Sequence, residues 1–435
     1  MTEHNRGKGT DLSLAIYGGI FSVDNSGTSP GVELLNFIYG ATEDQMLDPA
    51  LDPSPEKFGH NFARKLAHPK ELDQGREADK QKLKETLHGN EAREVLGVLF
   101  ASLQIQPPNV KNTTDPGWTR KPFFPFTQSL IHWDIKKSNE KIERVWMRGG
   151  GSLLHKILRK DPDSDRLAKI RVGFIDLYKN VESSSLERLA RFFRDHQSDK
   201  VSSSSPDEIE RQSRANLDSF EDVYRDGVLN ILTHHNLASV AKIETLVNWS
   251  GLWLALMQYR RSCAALGYET IPSLVCDCAL TASPLRRLAR MQFKFAFNSI
   301  KHALDTNPGG NFGHLEQRAK DGVRGFFTST ASALGVLNAY TGNRYLTLKV
   351  NALETLVAAL VPDQDEMPFE EFIDSCLYGR VGIVVSRSAA DRAGLLEEHD
   401  ATMFEENEAG LAIQMKAAGL LMAFSDATQM VGIKR

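Results

Sequence analysis

The sequence predicts a mainly α-helical, multi-domain protein, and three observations support this fold class. The chain has 435 residues, which is too long for one ordinary hydrophobic core. Hydrophobic residues make up 41% of it and charged residues 25%, as in folded globular proteins. Most of its apolar segments have the periodicity of helices.

The third quarter of the chain contains the most informative segment. No charged residue occurs from Thr245 to Tyr259, and the large apolar side chains there leave almost no polar face. A helix that is apolar nearly all round is normally buried on most sides, whereas a membrane span needs about 20 apolar residues. We therefore expect a buried central helix from Ser239 to Leu266, with Trp249 and Trp253 in the interior.

A second helix should begin at Ser283, a favourable N-cap that is followed by Pro284 at the first helical position. Phe293 and Phe297 project into nearly the same sector as a stripe of basic residues. Basic side chains interleaved with aromatic rings suit nucleic acid, since the cations meet phosphates and the rings stack on bases. The alternative is that the basic stems cover apolar surface and their heads pair with acidic groups. The stripe consists of Arg286, Arg287, Arg290, Lys294 and Lys301.

Composition divides the chain into five parts. Residues 1–125 predict a small α+β N-terminal domain, and the serine-rich residues 198–213 predict a linker before a central helical domain, 214–340. Between them, 126–197 contains two predicted strands, Ser129–Asp134 and Lys141–Met147, then a glycine loop and a helix.

The last part, 341–435, has a predicted order of elements that is compatible with a winged-helix-like unit. Its elements are helix Leu346–Leu360, helix Phe369–Leu377, strand Val381–Ser386 and helix Glu408–Phe424.

Charge is unevenly distributed along the chain. Residues Pro362–Glu408 contain 13 acidic and three basic residues, a net charge of −10, so the remainder carries +6 of the total of −4. The two parts could attract each other within or between subunits. A DNA-reading helix should be neutral or basic, but the candidate here carries Glu370, Glu371 and Asp374. We expect the C-terminal unit to bind protein.

Two local patterns suggest chemistry. Gly149, Gly150, Gly151 and Ser152 lie between a predicted strand and a helix, where free N–H groups can hold a phosphate. The Lys-Ser/Thr ending of a P-loop and the dinucleotide-binding spacing are both absent, so a flexible turn is the alternative.

The second pattern is Asp115 with Asp134 and Lys136, a loose match to the carboxylates and lysine of Mg²⁺-dependent nucleases; its alternative is a charged surface turn.

The sequence predicts no catalytic residue, no metal site and no cofactor. Cys276 and Cys278 lack a second close pair, so buried thiols are expected rather than zinc ligands. For His234 and His235 we expect a capping or packing role. Four irregularly spaced cysteines indicate a reducing compartment, and the polar N-terminus lacks an apolar leader, which together predict a cytoplasmic protein that does not enter the membrane.

Four blocks of the C-terminal half resemble accessory proteins of bacterial anti-phage operons. The blocks are Leu246-Val-Asn-Trp-Ser-Gly-Leu-Trp, Tyr259-Arg-Arg, Ser283-Pro-Leu-Arg-Arg-Leu-Ala-Arg and Leu420-Leu-Met-Ala-Phe-Ser-Asp-Ala. Such operons also encode a DNA-modification enzyme or a HerA-type ATPase. The resemblance contains no motif that assigns a site residue by residue.

Three functional hypotheses follow from these observations. The first is a non-catalytic subunit of a bacterial phage-defence complex that acts on or near DNA, with other subunits of the same operon, an ATPase among them, as partners. The second is a metal-dependent nuclease or nucleotide-using enzyme, and the third is a purely structural helical scaffold.

Overall fold

Helices dominate the structure, which confirms the mainly helical fold class. A computed structural model of the protein describes residues 12–20, 27–51, 58–59, 95, 98–99, 102–103, 123–131, 133–134, 150–179, 181–195, 212–279, 283–307, 317–339, 341–362, 366–424 and 428–433.

The principal helices of the described residues are, in chain order, α1 (Ser29–Ile38), α2 (Gln128–Ile131), α3 (Gly151–Arg159), α4 (Ser164–Leu177), α5 (Ser185–Asp195), α6 (Ser219–Thr233), α7 (Ser239–Ala265), α8 (Ser283–Thr306), α9 (Gln317–Ala333), α10 (Val350–Leu360), α11 (Phe369–Glu371), α12 (Arg387–Arg392) and α13 (Thr402–Ala417). Helix α11 continues directly into a π-helix, Phe372–Arg380.

Short strands join parts of the chain that are distant in sequence. They are β1 (Phe58–Gly59), β2 (Trp133–Asp134), β3 (Leu274–Val275), β4 (Met367–Pro368), β5 (Ile383–Val384), β6 (Leu421–Ala423) and β7 (Gln429–Val431). Strand β1 pairs with β2 and β3 with β5, both in parallel, while an antiparallel sheet has the order β4-β7-β6.

Helix α7 lies at the centre of the fold. Helices α1, α4, α6, α8, α9 and α10 all contact it, and the side chains of Trp249 and Trp253 are 0% exposed. The prediction of a buried central helix, Ser239–Leu266, is therefore confirmed. No helix in the described part of the chain is both long and apolar enough to cross a membrane.

The indole N–H groups of both tryptophans of α7 are hydrogen-bonded. The indole Nε1 of Trp253 donates to the carbonyl of Phe220 (2.9 Å), and that of Trp249 donates to the carbonyl of Tyr224 (3.3 Å). Each indole stacks near the ring of the residue that accepts its hydrogen bond. Because buried donors are costly without partners, these bonds fix α6 along α7.

Glycines allow α1 and its preceding turn to approach α7 closely. A Cβ atom on Gly31 of α1 would lie 2.4 Å from the Cα of Val247, and one on Gly251 of α7 would lie 2.1 Å from the carbonyl oxygen of Gly27. Both contacts involve backbone atoms, which cannot move aside as a side chain can. Any larger residue would separate the two segments.

Buried charges join α6 to α7. The Glu221 carboxylate is fully buried, and it accepts hydrogen bonds from Arg261 Nη2 (2.6 Å), Arg225 Nη2 (3.1 Å) and the backbone N–H groups of Asn216 and Leu217. Four donors around one carboxylate offset the cost of removing it from water.

Arg166 of α4 extends this network towards the C-terminal unit. Its guanidinium lies 2.6 Å from Asp161, 2.6 Å from Asp222 and 2.8 Å from Asp226. Asp226 also pairs with Arg380, at the end of the π-helix (2.5 Å). One chain of charges therefore connects α4, α6 and the C-terminal unit.

The C-terminal unit is attached to the centre of the molecule through Asn407 of α13. The Asn407 side chain is fully buried; it accepts from Cys278 N (2.7 Å) and donates to the carbonyls of Cys276 (2.9 Å) and Val385 (3.0 Å). Leu285 and Leu288 of α8 lie in the apolar cluster beside it, packed with residues of β3, β5, α12 and α13.

Three sequence predictions of secondary structure were wrong. The helix predicted as Leu346–Leu360 begins only at Val350, because Leu346 forms a bridge with Leu337. Ser129–Asp134 is not one strand, because α2 occupies Gln128–Ile131, where Ser129 binds the Glu187 carboxylate through Oγ (2.6 Å). The last helix is not Glu408–Phe424: Gly419, at φ +72°, follows α13 and turns the chain into β6.

The division into five parts stays a prediction, although one contiguous core contains buried residues from Leu12 to Val431. The predicted strand Lys141–Met147 and most of the predicted linker, 198–213, lie outside the described residues, but Ser213 is buried and its hydroxyl lies 2.9 Å from that of Ser152.

We expect Gly251→Ala to lower the free energy of unfolding by about 1–3 kcal/mol, because the new methyl group meets a backbone oxygen. The matched control is Gly322→Ala, in a helix position with nothing within 4 Å, which should stabilise the protein by about 0.5–1 kcal/mol. Urea unfolding followed by circular dichroism measures both. Equal effects of the two substitutions would contradict the close approach of α1 and α7.

A second prediction concerns acid. Although burial raises the pKa of Asp222, hydrogen bonds from Arg166 and Arg225 outweigh it and hold that pKa below its ordinary value. A depressed pKa stabilises the fold above the unfolded pKa of about 4, and this contribution disappears as the pH falls through the folded pKa.

Asp222→Asn should therefore cost about 1 kcal/mol at neutral pH, a modest value because the Asp222 side chain is 44% exposed. The cost should shrink below the folded pKa. Urea unfolding over a pH series measures it, with Asp391→Asn, on the exposed side of α12, as control. If Asp222→Asn lowers the free energy of unfolding equally at pH 7 and in acid, the ion pairs of Asp222 are not the cause of the loss.

Candidate nucleic-acid interface

Helix α8 is held by its apolar face. Phe293 stacks on Phe327 of α9, with ring centroids 6.4 Å apart, and Phe295 meets the ring of Tyr259 of α7 edge to face at 6.5 Å. Ile300 on the same helix is fully buried. These contacts decide which side of α8 is turned towards the surface.

Three of the five predicted cations form a row on that surface. Arg287, Lys294 and Lys301 are exposed and follow one another at intervals of seven residues, which is two helical turns or about 10.5 Å. None of the three makes an ion pair with another residue of the described chain. We call these three residues the basic row.

The other two predicted cations have different surroundings. Arg286 donates from Nε to Asp277 Oδ2 at 3.0 Å, and this bond raises the pKa of Arg286. Its guanidinium also lies 5.0 Å from the ring centroid of Tyr345. Arg290 is half-buried, and its Nε atom has no partner among the described residues. Arg286 therefore has a structural role, as the alternative interpretation of the stripe proposed.

Sequence reasoning missed a further cation, Arg344. The segment that carries it follows α9 and is held by a bridge between Leu337 and Leu346 and by the Asn338 side chain, which accepts from Tyr345 N at 2.8 Å. No local pattern marks Arg344, because it reaches α8 only through the tertiary fold.

Arg344 changes what the aromatic rings of α8 can do. Its guanidinium lies 4.8 Å from the ring centroid of Phe293 and 6.0 Å from that of Phe297. Phe293 is also only 4% exposed. The Phe293 ring is therefore covered by Arg344 and by α9, while Phe297 is half-buried near the same guanidinium, so the surface offers positive charge for phosphates more than open rings for bases.

Within the described chain, no residue of the acidic C-terminal segment pairs with this surface. Of the five stripe residues, only Arg286 pairs with an acidic side chain in the described chain, and its partner Asp277 lies outside Pro362–Glu408. Asp305, exposed near the end of α8, is the acidic residue closest in sequence to the basic row. The row is thus available to an external anion.

The glycine loop does not have the geometry of a phosphate site. Gly150, at φ +93°, precedes α3, and the backbone N–H of Gly151 donates to the carboxylate of Glu33 at 2.8 Å. Glu33 is 3% exposed and Ser152 is bonded to Ser213. A protein carboxylate already occupies the position where a phosphate would bind; Gly149 lies outside the described residues.

Most residues of the nuclease hypothesis lie outside the described part of the chain. Asp115 and Lys136 lie outside the described residues, and of Asp134 only the backbone is described, in β2. The hypothesis stays untested at these positions.

The cysteines have the surroundings expected of structural thiols. All four are buried and free, and burial raises the pKa of the Cys278 thiol to about 12 and that of Cys276 well above its usual range. A thiolate is therefore disfavoured at both positions. Within the described ranges, no cluster of three or more histidine, cysteine or acidic side chains has the arrangement of a metal site.

The paired histidines lie where α6 ends. His234 is buried, and its Nδ1 accepts the N–H of Asn236 at 3.2 Å in the turn before α7, so of the two expected roles the structure shows packing rather than a helix cap. With His235 it lines a cavity of about 730 Å³ between α4 and the start of α7.

A second cavity, of about 540 Å³, lies in the C-terminal unit between α13 and the sheet of β4 and β7. We call it the acidic cleft. Its lining consists of Pro368, Phe369, Glu370, Glu405, Glu408, Ala409, Ala412, Thr428 and Gln429.

We expect Glu33→Gln to destabilise the protein by about 1–2 kcal/mol, since it removes a buried negative charge from a helix N-terminus. Glu182→Gln, an exposed position, is the control. Thermal unfolding with and without inorganic phosphate measures both effects. If phosphate raises the midpoint temperature of wild-type unfolding, this would contradict the conclusion that Glu33 occupies the anion position at the start of α3.

Comparison of the chain with protein-family models, with curated proteins and with solved structures returned no match.

Proposed function

We propose that this protein is a non-catalytic subunit of a bacterial phage-defence complex that acts on or near DNA. In this function the basic row of α8 contacts the phosphate backbone, and the C-terminal unit binds other protein subunits of the same operon, an ATPase among them. The proposal depends on one observation. Arg287, Lys294 and Lys301 are exposed and lie in line on α8, and none of them pairs with an acidic residue of the described chain.

The spacing of the row supports contact with a polyanion. From Arg287 to Lys301 the helix rises about 21 Å, and double-stranded DNA carries one negative charge for about 1.7 Å of its axis. A straight row of cations can therefore follow several phosphates of one strand. Because Arg344 covers Phe293 and lies near Phe297, we expect binding that depends little on base sequence.

The order of elements supports a docking role for the C-terminal unit. The elements of this unit are, in order, helix α10, strand β4, the helix from Phe369 to Arg380, strand β5, helix α12, helix α13 and the hairpin β6–β7, and β4 lies beside β7. This arrangement agrees with a winged-helix-like unit. Helix α13, which precedes the hairpin, carries Glu405, Glu406 and Glu408, and these carboxylates would repel DNA.

The resemblance of the C-terminal half to accessory proteins of anti-phage operons supplies the biological setting of the proposal. Of the basic row, Arg287 lies within the resembling block Ser283-Pro-Leu-Arg-Arg-Leu-Ala-Arg, and Lys294 and Lys301 follow on the same helix. Co-purification with the neighbouring gene products is the corresponding expectation.

The salt dependence of DNA binding tests the phosphate contact. We expect the triple variant Arg287→Glu, Lys294→Glu, Lys301→Glu to bind duplex DNA much more weakly than the wild type. Because three phosphate contacts are lost, the slope of log affinity against log salt should fall by about 2.7. Fluorescence anisotropy over a salt series measures both quantities.

The matched control changes the net charge by the same amount elsewhere. Lys169→Glu, Lys179→Glu, Arg188→Glu alters three exposed cations on and beside α4 and α5. Its affinity should fall only slightly, with an unchanged slope. Equal losses in the two triple variants, or wild-type affinity in the first, would reject the basic row as the contact and favour a purely structural scaffold.

A further inference from the structure

The acidic cleft has one wall made by a single face of α13. Glu405, Glu408, Ala409 and Ala412 lie at helical spacing on this face, with the two carboxylates towards the helix start and the two alanines towards its end. Phe369, which is 6% exposed, and residues of β7 form the opposite side. The cleft thus has an acidic part and an apolar part.

The arginines of the acidic segment pair with one carboxylate of the cleft lining, Glu405, and leave two others, Glu370 and Glu408, without an ion pair among the described residues. Arg380 pairs with Asp226, outside the segment, while Arg387 pairs with Glu405 (2.6 Å) and Arg392 with Asp374 (3.3 Å). This accounts for all three basic residues between Pro362 and Glu408. Neither Glu370 nor Glu408 forms an ion pair with a cationic side chain of the described chain.

Crowding of negative charge is evident at Glu408, whose side chain is half-buried. Burial and then the neighbouring carboxylates of Asp374, Glu370 and Glu405 raise the pKa of Glu408, although it accepts a backbone hydrogen bond from Arg387. A cation that entered the cleft would relieve this repulsion, because an opposite charge within a few ångströms favours the ionised carboxylate.

Helix α13 also carries an exposed apolar side chain outside the cleft lining. Ile413 lies one helical turn after Ala409 and is 70% exposed. Ala409 and Ala412 line the cleft with small apolar side chains. Burying Ile413 against an incoming apolar group would add a hydrophobic contribution to binding.

We propose that the acidic cleft, together with Ile413, binds a basic amphipathic segment of a partner protein, in which Lys or Arg lie beside an apolar side chain. The cations meet Glu370 and Glu408, and the apolar side chain packs on Ala409, Ala412 and Ile413. This inference rests on the partner-docking part of the proposed function and is independent of the basic row.

Binding of synthetic peptides to the full-length protein tests it. The probe is a labelled amphipathic peptide that repeats arginine beside leucine; one comparison peptide has glutamate for arginine and another has serine for leucine. We expect the wild-type protein to bind the first peptide and neither comparison peptide. In fluorescence anisotropy, Glu370→Gln with Glu408→Gln should weaken binding roughly tenfold, and Ile413→Ser should also weaken it.

The matched control is Glu397→Gln with Glu398→Gln, which removes the same charge from exposed positions of the same acidic segment, outside the cleft lining. It should bind the arginine–leucine peptide as the wild type does. Equal losses in both double variants, or no binding by the wild type, would overturn the proposal. Unchanged circular dichroism shows that a variant is folded.

Two further measurements separate this inference from its alternatives. The first measurement is self-association of the wild type. If both the cleft substitutions and Arg287→Glu, Lys294→Glu, Lys301→Glu abolish it, a second copy of the chain occupies the cleft, and the proposal is overturned. The second measurement is the DNA affinity of the cleft variants, which should equal that of the wild type. The DNA-binding proposal and the peptide-binding proposal can therefore be rejected separately.

Discussion

The fold depends on the burial of a helix that has no polar side to leave in water. Helix α7 can be stable only when other helices cover it on most sides, and α1, α4, α6, α8, α9 and α10 do so. Apolar burial alone would not fix how these helices are placed. The hydrogen bonds of Trp249 and Trp253 to carbonyls of α6, and the backbone contacts at Gly31 and Gly251, provide that specificity.

Covering α7 also determines which charges remain available. Those close to the centre are paired: Glu221 binds Arg225 and Arg261, and Arg166 lies among three carboxylates. Charges on the outer faces of the covering helices meet solvent. Helix α8 uses its phenylalanines against α7 and α9, and its outward side therefore presents the basic row. The proposed DNA contact is a consequence of how this amphipathic helix is packed.

The basic row and the acidic cleft do not pair with each other within the described chain. The C-terminal unit is joined to the centre by the parallel pairing of β3 with β5 and by Asn407. The Asn407 side chain hydrogen-bonds to backbone groups of Cys276, Cys278 and Val385. This attachment, to which the ion pair of Arg380 with Asp226 also contributes, uses no residue of the basic row and neither Glu370 nor Glu408. A molecule with two oppositely charged surfaces can bind a polyanion at one and a basic partner at the other.

Features that depend on neighbouring residues could be predicted from the sequence. The absence of charge from Thr245 to Tyr259 predicted the buried helix, and Ser283-Pro284 predicted where α8 begins, because burial and capping follow local patterns. The stripe on α8 was also predicted, but its separation into an exposed row and a paired Arg286 was not. Contacts between distant segments decide such details: Glu33 binds the start of α3 across 118 positions, and Arg344 reaches Phe293 only after the segment beyond α9 has folded back. Only the tertiary structure sets these pairings, since each requires two segments whose separation in sequence leaves no local pattern.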